Sequence, residues 1–457
     1  MSNGTSPTPD WSLTARLVMA VALMIAGTTL MALTTYNPKS ELNYTRRSAA
    51  SILRGKLGTH YPPPRWLTES FEHEGRYHNA FPLGSALSVL PFVWMTRADI
   101  IRPFPNRQLI ALLAGAATGL MGLLASRYPL PVWKVFAFGL APVFGTCLWP
   151  NLGYGGAWHL SLGFAVVGLL GAILLTTSRR RVGILSDSVV PFFAGGCFAL
   201  AFGNRTETLI VAPAFYFLLL RGRPRSPWIR FAAFSILPFC LGTATLAYNH
   251  ARFDSPLQFG HSLIPYVFEE EWYRDGIFHL SAIPRNAYAM LVEPWELRPS
   301  PPYVQPTGWG GSIFLSSPFL LLVLWRWRRG PFDLRVTAWA AIAATTLVLW
   351  LHGNPGGWQV SYRYASVLFP WAMLLLLETE KSARYRWLAP AAIALSIAIN
   401  AYSNWLFNSS DFMRQQNPAS APPAALQSAH VEICSRPLPR NLWLATSSSS
   451  ERDQARG

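Results

Sequence analysis

Glutamates and arginines stand out in this sequence because several occur where neighbouring residues are least hospitable to charge. Glu41, Glu72 and Glu74 fall in a polar stretch, 35–79, between two apolar runs, and Arg76, Arg205 and Arg363 each border an apolar run. An ionised carboxylate can take a proton from a hydroxyl. A guanidinium can grip a phosphate through its bidentate fork and stabilise charge developing there. Arg205 sits with Asn204 and Glu207 in a very short connection between apolar runs, and an ionisable cluster at membrane depth is a functional-site hypothesis. A local Arg205–Glu207 ion pair with a structural role is the alternative. Arg363, flanked by Tyr362 and Tyr364, precedes an apolar run at a position suited to a lipid phosphate, though a headgroup contact with belt tyrosines reads the same way. His159 lies within an apolar segment past Pro150 and Gly153-Tyr-Gly-Gly. It can line such a site or bond to a neighbouring helix.

Motifs of soluble enzymes are absent. His73-Glu-Gly-Arg-Tyr-His78 places its histidines five apart, whereas zinc proteases need a spacing of four on one helical face. Five helical residues rotate by about 500°, and Gly75 favours a loop. There is no Gly-x-Ser-x-Gly elbow, phosphate-binding Gly-rich loop ending in Lys, or Rossmann fingerprint. Cys147, Cys197, Cys240 and Cys434 are scattered without metal-ligand spacing. No metal and no cofactor is expected.

The elements that hold these residues are membrane helices. The 457 residues are 51% hydrophobic and only 13% charged, well below the charge of a soluble protein. The net charge of +16 comes from short Arg clusters between apolar runs, so a nucleic-acid partner is not expected. A span needs about 20 apolar residues. The first runs from Trp11 to about Leu33 and is too long for a signal-peptide core. Others follow at about 80–96, 108–126, 130–149, 153–176, 187–203, 206–221, 230–248, 311–327, 335–352, 364–378 and 387–405. The reading is an all-α polytopic membrane protein with about 11–13 transmembrane helices in a multi-pass domain, 1–406. A polar tail, 407–457, is rich in Ser, Ala and Pro and too polar to fold alone.

The positive-inside rule assigns five Arg/Lys clusters to the cytoplasm, including Arg97, Arg102 and Arg107, and places the N-terminus there too. Loops 35–79, 249–310 and 353–363 are then outside. Three apolar segments separate the first two clusters, an odd number that cannot return the chain to the same side. Either one of them in 108–176 is re-entrant, or two form one bent span.

The order of motifs resembles that of polyprenyl-phosphate-dependent glycosyltransferases of the GT-C type, similar to protein and lipid mannosyltransferases and aminoarabinose transferases. The first outer loop closes on Gly75-Arg-Tyr-His-Asn-Ala-Phe-Pro-Leu-Gly84; Tyr248-Asn-His-Ala-Arg-Phe-Asp-Ser-Pro256 and Gly356-Gly-Trp-Gln-Val-Ser-Tyr-Arg-Tyr364 are similar to later motifs, and Trp149-Pro-Asn…His159 to a segment ahead of the fifth span. The resemblance covers about 12–405. It implies a bacterial inner-membrane enzyme that moves a sugar from a polyprenyl-phosphate donor to a glycan, lipid or protein acceptor on the outer face, with inversion. It also implies that an acid in the first outer loop is the base. Glu41 lies nearest to that acid, Glu72 and Glu74 are its rivals, and Lys39 stands where many relatives carry the acid. Arg363, Tyr362, Arg205 and Arg76 are the donor-phosphate candidates, and His159 lines the substrate path. A flippase for lipid-linked saccharides and a non-catalytic GT-C-like protein are the alternatives.

Overall fold

The computed structural model describes residues 11–36, 38–39, 42–64, 67–177, 184–221, 226–326, 330–357, 359–380 and 387–409. Glu41, Trp358 and the tail from residue 410 lie outside the described residues. The chain is an all-α polytopic membrane protein. In order it forms α1 (Leu13–Thr34), α2 (Tyr44–Ile52), the hairpin β1 (Ser70–His73) and β2 (Arg76–Asn79), α3 (Leu83–Arg97), α4 (Asn106–Ala125), α5 (Val132–Phe144), α6 (Leu148–Tyr154) and α7 (Ala157–Thr176). Then come α8 (Ile184–Asn204), a 3-10 turn Thr206–Val211 running into α9 (Ala212–Leu220), α10 (Pro227–Phe253) and α11 (Ile283–Leu291). A short ribbon, β3 (Glu296–Leu297) and β4 (Val304–Gln305), precedes α12 (Ile313–Ser316), α13 (Leu320–Trp325), α14 (Phe332–Leu351), α15 (Phe369–Glu380) and α16 (Leu388–Ser409).

Among the described residues five helices, α1, α4, α7, α10 and α14, are long and apolar enough to cross a membrane. The pair α5 and α6, bent by 50°, makes a sixth unit; Pro142 and Pro150 flank the break, where a missing amide donor frees the ladder to turn. Helix α7 is buried along most of its length, whereas α10 presents Phe231, Ile236, Phe239 and Leu246 outward as a lipid-facing surface.

Hydrogen bonds between helix ends sort the loops into two sides. On one side, Arg107 donates to Ala32 O at the end of α1, Asn106 Nδ2 to Gly155 O, Asn404 Nδ2 to Thr34 O, and Asn151 Nδ2 to Val360 O. On the other, Trp11 Nε1 donates to Leu130 O and Arg127 to Leu174 O. That second side also carries the buried ionic contacts: Lys134 and Arg326 on Glu380, Tyr128 on Glu378, and Arg230 on Asp187. All of these lie at helix ends rather than at mid-membrane.

This sorting corrects the expected topology. Helix α3 does not cross: near its start Ser85 Oγ donates to Asn204 O at the end of α8, and from its end Arg97 donates to Ala50 O of α2, both on the first side. Its 15 residues would span about 22 Å, short of the roughly 30 Å hydrocarbon core. The loop bearing Arg97, Arg102 and Arg107 therefore shares the side of loop 35–79. The three segments in 108–176 correspond to α4, the bent α5–α6 unit and α7, and the odd count follows from α3 alone. Gly84 of α3 and Gly203 of α8 let these helices touch backbone to backbone, since a Cβ on Gly84 would collide with Gly203.

Candidate active site

The first loop turns back on itself before the hairpin. Leu67 N bonds to Pro64 O and Ser70 N to Leu67 O, so Glu69 sits at a tight corner. Nearby, α6 ends at Gly155, whose φ of 78° suits a residue without a Cβ, and α7 starts after Gly156. That junction places Trp158 in the first turn of α7, with its indole against Tyr44 (5.1 Å) and Phe81 (6.0 Å). Trp158 Nε1 donates to both carboxylate oxygens of Glu69 at 2.8 Å.

Two arginines complete the group. Arg363 opens the 3-10 turn Arg363–Leu368 and is only 5% exposed. Its main-chain N donates to Gln359 Oε1, Nη1 donates to Gly357 O and lies 3.4 Å from His159 Nε2, and Nη2 donates to Tyr364 Oη at 3.4 Å. Arg205 follows α8; its Nε bonds Glu207 Oε1 at 2.6 Å and its guanidinium lies 4.7 Å from the Tyr364 ring centre. The Arg363 guanidinium is 5.1 Å from the same centre, so the tyrosine is shared between the cations. The Nε of Arg363 is buried and has no hydrogen-bond partner among the described residues.

These charges act on Glu69. Burial raises its pKa from the ordinary 4.5 to about 7; the Trp158 hydrogen bond, Arg363 and Arg205 act the other way, and Glu270 adds to the rise. Glu69 as a residue is half-buried. The loop after α10 brings His261, Glu270 and Tyr273 into the electrostatic surroundings of this group: Glu270 and Tyr273 act with Glu69, and His261 with Arg205 and His352. His261 and His352 are both held near 4, chiefly by burial; His352 and Arg205 add to it at His261, and at His352 the Asn354 carbonyl opposes it while Arg205, Arg363 and His279 add to it, so both are neutral at pH 7. His352 is oriented by its Nδ1 contact with Asn354 O (2.9 Å) and packs against Tyr273, Phe278 and Tyr364. Burial pushes the Tyr273 hydroxyl up, so it remains a hydrogen-bond donor. Among the described residues no three His, Cys, Asp or Glu side chains converge to hold a metal ion.

The arrangement is a carboxylate poised near neutrality beside two cations, with neutral donors around it. It can take a proton from a hydroxyl and stabilise an oxyanion. The structure brings Arg363, Arg205 and His159 together. Tyr362 is fully buried with its hydroxyl donating to Leu349 O (3.1 Å), so that donor is already used within the fold. Glu72, Glu74 and Arg76 are exposed on the hairpin, and none makes an ion pair among the described residues. Trp272 and Trp309 stack on each other at 6.4 Å.

Glu69 was not singled out in the sequence. The only local sign is its apolar neighbourhood, Trp66, Leu67 and Phe71, which marks a carboxylate carried inward with its chain. Its partners come from residues 158, 205, 270 and 363 and share no spacing.

No family model matches the chain, and no curated protein does. Among solved structures, the crystal structure of ArnT from Cupriavidus metallidurans bound to undecaprenyl phosphate is similar, with a TM-score of 0.53 over 94% of this chain and 82% of that one, at 12% identity. The likeness is one of fold: the chain shares the architecture of that structure.

Proposed function

We propose that this protein is a membrane glycosyltransferase that moves a sugar from a polyprenyl-phosphate donor to an acceptor hydroxyl at the face bearing loop 35–79, with Glu69 as the base. The observation that carries the reading is the placement of one carboxylate, held near a pKa of 7, against Trp158 and within the field of Arg363 and Arg205. The matching fold of ArnT, a structure bound to undecaprenyl phosphate, supports a lipid-linked donor.

In this mechanism the acceptor oxygen loses its proton to a Glu69 oxygen as it attacks the anomeric carbon from the face opposite the phosphate. The bond from that carbon to the phosphate oxygen breaks, its electron pair leaves with the polyprenyl phosphate, and the configuration inverts. Arg363 and Arg205 stabilise the charge on the departing phosphate. A base with pKa near the working pH combines a large ionised fraction with useful basicity. No cofactor takes part. The membrane is the bacterial inner membrane, with the N-terminus cytoplasmic and the site outside. The buried charge pairs that a flippase would place at mid-membrane lie instead at helix ends on the far side.

The test uses membranes holding the full chain and labelled polyprenyl-phosphate sugars, comparing the parent with Glu69→Gln and Glu41→Gln. Transfer by the parent and by Glu41→Gln, with a loss of about 10²–10⁴-fold in Glu69→Gln, is expected. No transfer from any donor by the parent, or full transfer by Glu69→Gln, refutes the reading.

A further inference from the structure

A recess lies beside the hairpin, between α2 and the C-terminal end of α10. It has about 330 Å³ of open space shared with solvent, and its described lining includes Arg47 and Arg252 but no carboxylate. The two arginines come from different elements, as a feature built by the fold requires.

Arg252 is 5% exposed. Its guanidinium is fixed by Nη2 donating to Asn249 Oδ1 (2.8 Å) and by the rings of Tyr248 and Phe253, 4.1 and 4.4 Å from its carbon. Its Nε is buried with no hydrogen-bond partner among the described residues, and it forms no ion pair among them. His78, 7% exposed, adds a second such atom, Nδ1. Burial, followed by Arg252, holds this imidazole near a pKa of 4, with the Leu57 carbonyl opposing, so it is neutral and brings no counter-charge. A desolvated, immobilised cation without an anion is an unfavourable arrangement that a bound oxyanion relieves. The Arg205–Arg363 pair is different: there Glu207 and Glu69 supply the negative charge.

We propose that this recess is a second oxyanion subsite and that it receives an anionic group carried by the acceptor. Arg252 and Arg47 bind the oxyanion and His78 donates or accepts one hydrogen bond. Ser70, on its wall, is the chain neighbour of Glu69, so the recess and the proposed base share one loop. Assigning the anion to the acceptor rests on the transferase reading; oxyanion binding does not.

The full-length protein in nanodiscs is titrated with inorganic phosphate, and with a polyprenyl monophosphate added to the bilayer, against sodium chloride of matched ionic strength. Thermal unfolding is followed by tryptophan fluorescence. Phosphate should raise the unfolding temperature of the parent, and Arg47→Gln should raise the concentration for half effect at least tenfold while leaving the polyprenyl monophosphate effect intact. Arg363→Gln should do the reverse. Arg252→Lys, which keeps the charge and removes the fork, provides a second variant with the same expected pattern as Arg47→Gln. A parent that responds to phosphate no more than to chloride, or an Arg47→Gln protein indistinguishable from it, overturns the subsite. Loss of the polyprenyl monophosphate effect in Arg47→Gln overturns the acceptor assignment, because the recess would then hold the carrier's own phosphate. No arm depends on sugar transfer, so a failure here is separable from a failure of the catalytic reading.

Discussion

The hydrogen bond from Trp158 to Glu69 gives the sharpest test of the site. A Trp158→Phe substitution keeps an aromatic ring against Tyr44 and Phe81 but deletes the N–H that both carboxylate oxygens share at 2.8 Å. Because that bond favours the ionised form, its loss raises the pKa above the present value of about 7. A hydrogen bond to a charged group contributes about 1.5–3 kcal/mol, which is roughly one to two pH units. At pH 7 the ionised fraction would fall from near one half to between about a tenth and a hundredth, so transfer would fall roughly five- to fifty-fold. It would recover at pH 9–10. The assay is the rate of sugar transfer in membranes as a function of pH for parent and variant. In the parent the rate should rise with pH through about 7, since a base must be ionised to act. A variant whose midpoint is unchanged or lower, or whose loss persists at high pH, would refute Glu69 as base.

Other consequences can be checked together. Arg363→Lys keeps the charge but loses the fork that reaches Gly357 and Tyr364; transfer should fall at least tenfold with little change in the pH midpoint. Glu72→Gln and Glu74→Gln, on the exposed hairpin, should leave transfer within about twofold, read in the same assay. The raised pKa of Glu69 also has a stability consequence. A carboxylate whose folded pKa exceeds its unfolded value of 4.5 destabilises the fold as it ionises, so the penalty is absent below 4.5, grows up to about 7 and is then constant. The parent's unfolding temperature should therefore drop relative to Glu69→Gln across that window. Glu380→Gln removes the anion shared by Lys134 and Arg326, all three side chains being nearly inaccessible, and should cost about 3–5 kcal/mol, seen as a large loss of thermal stability.

How much of this was legible before the structure varies with the range of the interaction. Helices α1, α4, α7, α10 and α14 announce themselves because a membrane span is a local property of about 20 consecutive residues. Helix α3 misleads for the same reason: 80–96 is apolar enough, but its fate depends on Gly84 docking against Gly203 and on Arg97 reaching Ala50, contacts 119 and 47 residues away in chain. Arg363 and Arg205 were legible because a charge beside an apolar run is conspicuous. Glu69 was not, since a carboxylate in a polar loop looks the same whether it ends in solvent, as Glu72 does, or beneath Trp158.

The geometry of the α6–α7 junction explains why the base need not stand where the family resemblance points. Lys39 N bonds to Tyr154 O at 2.7 Å, and Pro38 abuts Gly155, so the early part of the first loop is tied to this junction. Trp158, four residues after Tyr154, holds Glu69 from the late part of the same loop. Positions near 39 and position 69 thus approach one place from two directions. Trp158, Arg205 and Arg363 stand in or beside helical segments and not on the first loop. Under this reading the indole donor and the cations stand on or beside the helices, while the loop carries the acid. Lys39 at the family's acidic position is then compatible with catalysis.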